Sequence, residues 1–253
     1  MTYILGVRAL DGIVLVADRK VIDQNSGQFY FLDKIYEPER GMIIGYAGNR
    51  GAFEVFKTRL KLEMDRQSAQ LAGNNRSESV LMLISKLVQE SSNRFPRDKE
   101  GFELIVGQAN PAAKSLVTRV YPDGEFIPID FNESIGTGAP FGLAFFKTAW
   151  YTIMSMEDSA ELGYFTLLFI EQRNLTNSVG LGQMHPQICY LPDKSDTTVE
   201  PTPDELTNMR SRIESKLIAF QDHLRALFPV ITKPGHEAIY MDEMQKWNKK
   251  RAN

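Results

Sequence analysis

Two apolar segments close to the N-terminus place the strongest limit on how this chain can fold. Residues 3–8 and 13–17 are rich in Ile, Leu and Val, and Asp11-Gly12 stands between them. An Asp-Gly pair readily takes the positive φ angles of a tight hairpin. The sequence therefore predicts that the chain begins with two antiparallel, neighbouring strands.

A second pair of short strands and two helices are predicted from the pattern that follows. The segments "KIYEP" and "GMIIGYAG" indicate the strands, joined at residues 39–41. Apolar side chains then recur every three or four residues, which is the spacing of one helix face. They are Phe53, Phe56 and Leu60 in the first helix and Val80, Ile84, Leu87 and Val88 in the second.

The second half of the chain again combines strands with helices. "FELIVGQAN" and "SLVTRVYPDGEFIPI" indicate strands, and Ser155 and Asp158 have the spacing of a capping box at the start of a helix. "PQICYLP" is typical of one more strand. A long helix over 202–227 is predicted last, because its apolar positions step by three or four throughout.

This order of elements predicts an α+β fold in four layers. Two antiparallel sheets would stack face to face with helices outside each, giving an αββα sandwich with an extra C-terminal helix. We expect one domain over residues 1–228, including that helix. The polar and basic segment 229–253 is expected to be a C-terminal tail.

Composition excludes several classes of function. The formal net charge of -3 gives no electrostatic reason to expect a nucleic acid or an anionic membrane as partner. The single Cys189 cannot form an intrachain disulfide or a thiolate metal cluster, so a reducing, cytoplasmic location is expected. Arg8 and Asp11 interrupt the N-terminal apolar stretch, so we do not expect it to be a signal peptide.

A set of polar and glycine residues accompanies the first strands. Thr2 precedes a strand, Asp18 lies in "ADR" sixteen residues later, Lys34 opens "KIY" thirty-two residues after Thr2, and Gly45 begins "GYAG". These motifs resemble those of proteasome β-type subunits, a family of N-terminal nucleophile hydrolases. The resemblance implies that Thr2 is the nucleophile, Asp18 and Lys34 its acidic and basic partners, and Gly45 the oxyanion glycine.

Two later motifs extend the resemblance to roughly residue 190. "IGTGAPFG" is similar to the family's turn before its third helix, and "LTNSVGLG" to its serine-glycine turn, which implies site roles for Thr137 and Ser178. Thr137 stands where most active subunits have serine, and Leu175 where an aspartate is usual. "SVG" in place of "SGG" is similar to the bacterial Anbu group.

The residue types also suit this chemistry by themselves. Removal of Met1 would give Thr2 both a hydroxyl nucleophile and an amine that can accept its proton. A nearby ammonium, from Lys34, would lower the pKa of that amine from its reference value of about 8. Asp18 would hold Lys34 in place. The Gly45 N–H would stabilise the oxyanion that develops on the attacked carbonyl.

These considerations predict a threonine-type peptidase or amidohydrolase that acts through an acyl-enzyme on Thr2. Its substrate would be a peptide or unfolded protein, its assembly a homo-oligomeric ring, and it would need no metal or organic cofactor. A noncatalytic subunit that only builds the ring is the alternative. An amidase or transpeptidase for a specific peptide or small molecule is another. The sequence specifies no ATPase partner.

Overall fold

The computed structural model describes residues 2–22, 28–67, 76–94, 101–110, 115–149, 153–172, 179–182 and 184–227. The strands are β1 Ile4–Arg8, β2 Gly12–Ala17, β3 Lys20–Ile22, β4 Phe29–Phe31, β5 Ile35–Glu39, β6 Met42–Gly48, β7 Phe102–Gln108, β8 Leu116–Val120, β9 Phe126–Ile129, β10 Asn132–Ile135 and β11 Gln187–Pro192. The helices are α1 Arg50–Arg66, α2 Arg76–Ser92, α3 Ala139–Ala149, α4 Met156–Gln172 and α5 Pro203–Leu227.

The first sheet is built around the predicted N-terminal hairpin. β1 and β2 are antiparallel neighbours, with Val7 opposite Val14. β10 pairs with the free side of β1 and β11 with the free side of β2, which gives the order β10-β1-β2-β11. Segments that are far apart in the chain therefore meet next to the residues that follow Thr2.

The second sheet follows the chain order. β5, β6, β7, β8 and β9 are consecutive antiparallel neighbours. Gly41, with a φ of 77°, lies in the turn between β5 and β6, and Gly124, with a φ of 90°, lies in the turn between β8 and β9. The first of these two turns is at its predicted position, residues 39–41. Both turns need the left-handed backbone that glycine adopts without strain.

The two sheets pack face to face through a buried apolar core. It contains side chains from both sheets: Ile4, Ile13, Leu15, Ala17, Ile135, Cys189 and Leu191 from the first, and Ile35, Ile43, Ala47, Ile105 and Val117 from the second. The outer face of the second sheet packs on α1 and α2 through a separate cluster that includes Ile44, Phe56, Ile84 and Leu104.

Helix α4 covers the outer face of the first sheet. A Cβ at Gly163 would lie 3.0 Å from a methyl of Val16 and 3.1 Å from one of Leu5, so the helix approaches β1 and β2 closely. The capping box predicted for this helix is present, since Asp158 N–H donates to Ser155 Oγ. The predicted αββα sandwich of antiparallel sheets and outer helices is confirmed.

The internal contacts divide the chain into two units, residues 1–210 and 211–253. Helix α5 begins as predicted, because Thr202 Oγ1 accepts a hydrogen bond from the Glu205 N–H while Glu205 accepts one from the Thr202 N–H. The proposed domain boundary after residue 228 stays a prediction, and the tail 229–253 lies outside the described residues. None of the helices described is long and apolar enough to cross a bilayer.

Candidate active site

A buried ion pair lies where the two sheets meet. Asp18 directly follows β2 and Lys34 directly precedes β5, and their exposed fractions are 0% and 1%. Lys34 Nζ donates to Asp18 Oδ1 at 2.8 Å and to the Lys20 carbonyl at 2.6 Å. The pair that the resemblance implies is therefore present, and the Lys20 carbonyl also holds its ammonium.

The same carboxylate oxygen is bonded to the backbone beside Thr2. Tyr3 N–H donates to Asp18 Oδ1 at 2.7 Å, and Asp18 N–H donates back to the Tyr3 carbonyl at 3.1 Å. Thr2 itself is 5% exposed. Asp18 thus connects the Lys34 ammonium to the residue that follows Thr2.

The turn between β10 and α3 holds the carbonyl of Thr2. Gly138 N–H donates to the Thr2 carbonyl oxygen at 3.3 Å, and a Cβ at Gly136 would lie 2.2 Å from that oxygen. Gly136 has a φ of 89°, and its N–H donates to Glu103 Oε1 at 3.1 Å. Only a residue without a side chain fits at this position, so the turn fixes the backbone of Thr2.

Burial controls the charge state of the ion pair. Burial raises the pKa of the Asp18 carboxyl, and the adjacent Lys34 ammonium opposes that shift. Burial lowers the pKa of Lys34, and the Asp18 carboxylate opposes it. The contact between carboxylate and ammonium therefore favours the charged forms that burial alone would disfavour.

Gln187, at the start of β11, supports Lys34 from the other sheet. Its side-chain Oε1 accepts hydrogen bonds from the Lys34 N–H at 2.7 Å and the Ile35 N–H at 2.8 Å. Its Nε2 donates to the Ile35 carbonyl at 3.0 Å. The site therefore includes a polar contact across the two sheets that the sequence did not indicate as functional.

Gly45 is not placed as an oxyanion donor. It lies in the middle of β6, opposite Ile35 on one side and Ile105 on the other. Tyr46 N–H donates towards β5, to the Lys34 carbonyl, and adjacent N–H groups in a strand point in opposite directions, so the Gly45 N–H points towards β7. This prediction is corrected: Gly45 serves close packing, since a Cβ there would lie 2.8 Å from a methyl of Ile4.

Gly48, at the end of β6, has the geometry that was expected of Gly45. By the same alternation its N–H points away from β7, on the side where β5 begins after Lys34. Its φ of 114° is one that residues with side chains rarely adopt. Gly48 is the last residue of the "GYAG" motif, but the sequence prediction did not name it as a site residue.

The two remaining predicted site residues are Thr137 and Ser178. Thr137 is exposed and lies between Gly136 and Gly138, the two glycines that contact the Thr2 carbonyl. The structure thus places Thr137 in the turn against Thr2. Ser178 lies outside the described residues, as does Leu175.

Sequence comparison assigns the chain to a family. The model of the proteasome subunit family matches residues 2–181, which contain Thr2 and the Asp18–Lys34 pair. The chain belongs to the proteasome subunit family. A comparison with curated protein sequences found no match.

Solved structures of bacterial Anbu proteins share the fold of this proteasome-family chain. An Anbu (Gly-1) mutant from Hyphomicrobium sp. strain MC1 superposes with a TM-score of 0.71 at 18% identity, covering 92% of this chain and 99% of that one. Anbu (ancestral beta-subunit) from Yersinia bercovieri gives a TM-score of 0.68 at 18% identity, covering 92% and 98%. At this identity the likeness shows the fold alone.

The described part of this proteasome-family subunit was also compared with the requirements of a metal site and of a cysteine nucleophile. No group of three or more His, Cys, Asp or Glu side chains there could hold a metal ion. Cys189 lies in the core between the sheets, and burial raises the pKa of its thiol to about 12. A thiol in this environment is a poor nucleophile because it stays protonated.

Proposed function

We propose that this proteasome-family subunit is an N-terminal threonine hydrolase that cleaves peptide or other amide bonds through an acyl-enzyme on Thr2. The observation that carries the proposal is the double use of Asp18 Oδ1, which accepts hydrogen bonds from both Tyr3 N–H and Lys34 Nζ. One oxygen thereby fixes a lysine ammonium relative to the backbone of the nucleophile. The proposal requires that Met1 is removed.

In the proposed reaction the Thr2 hydroxyl oxygen attacks the carbonyl carbon of the substrate. The hydroxyl proton passes to the Thr2 amine, and the buried positive charge of Lys34 keeps that amine partly unprotonated near neutral pH. The C–N bond then breaks, the leaving amine takes the proton, and an ester remains on Thr2. Water attacks the ester by the same route and restores the hydroxyl.

The negative charge that develops on the substrate oxygen needs hydrogen-bond donors. Gly48 N–H is the proposed donor, because it lies at the end of β6 on the side where β5 begins after Lys34. Thr137, in the turn that holds the Thr2 carbonyl, is proposed to contribute its hydroxyl to the same site. Ser178 is proposed to be a further residue of this site, as the resemblance to proteasome β-type subunits implies.

Energetics favour this proposal over the noncatalytic alternative. Replacing a buried ion pair with apolar residues is often neutral or even stabilising, so such a pair is not required for packing. In a subunit that only builds a ring, apolar residues could replace the Asp18–Lys34 pair, which is 0% and 1% exposed, at little cost in stability. Proton transfer at Thr2 would give the Asp18–Lys34 pair a catalytic role.

Hydrolysis of a panel of short fluorogenic peptides tests the proposal. Thr2→Ala should reduce the rate by at least about a thousandfold, because the nucleophilic oxygen is lost. Thr2→Ser should retain measurable activity, since hydroxyl and amine both remain. Equal rates for Thr2→Ala and the wild type, with Met1 removal confirmed in both, would contradict a nucleophilic role of Thr2.

A further inference from the structure

Gln187 occupies a position that packing alone would give to an apolar residue. It lies opposite Ala17 in the β2–β11 ladder, and Cys189 and Leu191, two and four residues later, belong to the core between the sheets. Alternation along the strand therefore directs Gln187 into the same space, where it is 6% exposed. A carboxamide buried here must be hydrogen-bonded or it destabilises the fold.

The bonds of Gln187 replace those of a neighbouring strand. β5 lies at one end of the described order of the second sheet, so backbone groups on its outer side lack a strand partner. The Gln187 carboxamide accepts from the Ile35 N–H and donates to the Ile35 carbonyl, at 2.8 and 3.0 Å. That is how a residue in an adjacent antiparallel strand would pair with Ile35.

The contact with Lys34 goes beyond this edge pairing. In a regular ladder the Lys34 N–H would bond to the Tyr46 carbonyl, since Tyr46 N–H already donates to the Lys34 carbonyl. Instead, the Lys34 N–H donates to Gln187 Oε1 at 2.7 Å. The backbone of Lys34 is thus held from β6 on one side and from β11 on the other.

We infer that Gln187 is a positioning residue for catalysis: it fixes the backbone of Lys34 so that Nζ points at Asp18 Oδ1 beside Thr2. This inference rests on the proposed function. Gln187 touches neither Thr2 nor the ion pair's charged atoms in any contact described above, so it acts through Lys34. Loss of its three hydrogen bonds would let Lys34 shift, and a displacement of about 1 Å can cost on the order of a hundredfold in rate.

Two variants separate positioning from simple capping of the sheet edge. Gln187→Met removes all three hydrogen bonds at similar side-chain length. Gln187→Glu introduces a carboxyl group that reproduces the native pattern when neutral, because one oxygen can accept from both N–H groups while the hydroxyl donates to the Ile35 carbonyl. When ionised, the same group has no proton to donate to that carbonyl, and it adds a negative charge next to Lys34.

The experiment measures the second-order rate constant for acylation of Thr2 by a peptidyl β-lactone. Intact mass spectrometry of the full chain monitors the reaction between about pH 6 and pH 9. A buried carboxyl has a pKa above its reference of about 4.3, so Gln187→Glu should change ionisation within or near this range. The matched control is Gln108→Met, which removes another buried carboxamide, 4% exposed, whose described bond goes to the Ser77 carbonyl and not to Lys34.

We expect Gln187→Met to be slower than wild type by about tenfold to a hundredfold at neutral pH, and Gln108→Met to match the wild type. The ratio of Gln187→Glu to wild type should fall as pH rises. Should Gln187→Met fail to fold, that pH-dependent ratio still decides. Wild-type rates in both Gln187 variants, or a rate ratio that does not change with pH, would overturn the inference about Gln187 but not the proposed function. A wild type that is never acylated at Thr2 would overturn the proposed function and the inference together.

Discussion

At the scale of single residues, the account depends on one oxygen atom. Asp18 Oδ1 accepts hydrogen bonds at 2.7 Å from Tyr3 N–H and at 2.8 Å from Lys34 Nζ, and all three residues are buried. A charged acceptor strengthens both bonds. Any change that removes either the carboxylate or the ammonium should therefore affect both the stability of the chain and the chemistry at Thr2.

Lys34→Met should abolish hydrolysis and lower the free energy of unfolding by about 3–5 kcal/mol, because it leaves the Asp18 carboxylate buried without its partner. Adding Asp18→Asn to Lys34→Met should recover most of the stability but none of the activity. Urea unfolding and peptide hydrolysis measure the two effects. The control is Lys86→Met, which removes an exposed lysine whose ion pair with Glu90 spans 3.9 Å.

If Lys34→Met proved as stable as Lys86→Met, the buried pair would not have the coupling described here. If the double variant regained activity along with stability, Lys34 would serve folding only. The second result would separate the ion pair from catalysis.

The sequence was a good guide to residues whose positions follow from local motifs. Thr2, Asp18 and Lys34 were predicted from motifs that resemble those of proteasome β-type subunits, and the structure brings Asp18 and Lys34 together. Gln187 was not predicted because it acts 153 residues away from Lys34 through a sheet-to-sheet contact. Its one signal was a polar residue at an inward-facing position of an apolar strand.

At the scale of elements, the approach of β6 to β1 sets the position of the strand that follows Thr2. A Cβ at Gly45 would lie 2.8 Å from the Ile4 Cγ2 methyl. Because sheet packing at this point tolerates no side chain on β6, Gly45 allows β1 to lie at its observed depth. Gly107 on β7 has a similar role, since a Cβ there would lie 3.1 Å from Ile13 Cγ2 on β2.

Gly45→Ala should destabilise the chain by about 1–3 kcal/mol through overpacking. It should also slow acylation of Thr2, because the new methyl displaces Ile4, which is only two residues after the nucleophile. Gly107→Ala, the matched control, should cost a similar free energy of unfolding without slowing acylation. Thermal unfolding and β-lactone labelling measure the two. Equal effects of both variants on acylation would show that it responds only to global stability.

The elements that sequence analysis missed are those with little pattern of their own. β10, "NESI", has polar residues at its first three positions, and it is a strand because it pairs with β1. β3 and β4 are three residues each and pair only with one another in the described sheets. The longer strands and helices were predicted because their apolar residues follow a regular pattern. In the strands the pattern extends over several residues, and in the helices over several turns.

At the scale of the whole molecule, membership of the proteasome subunit family supports an oligomeric assembly, and we propose a homo-oligomer that encloses the Thr2 sites. This proposal rests on the family.

Multi-angle light scattering at micromolar concentration tests the assembly. We expect a mass that is a multiple of the 28.7 kDa chain, and the same mass for Thr2→Ala, since the substitution alters the site but no packing surface. A strictly monomeric wild type would contradict the proposed assembly and leave the chemistry at Thr2 to be judged separately.

Intact mass spectrometry tests the central claim, that Thr2 is a free N-terminal nucleophile, most directly. The purified chain should have the mass expected without Met1, and treatment with a peptidyl β-lactone should add one probe per chain to the wild type and none to Thr2→Ala. Peptide mapping should locate the ester on Thr2. Uniform retention of Met1, or equal labelling of wild type and Thr2→Ala, would contradict the account.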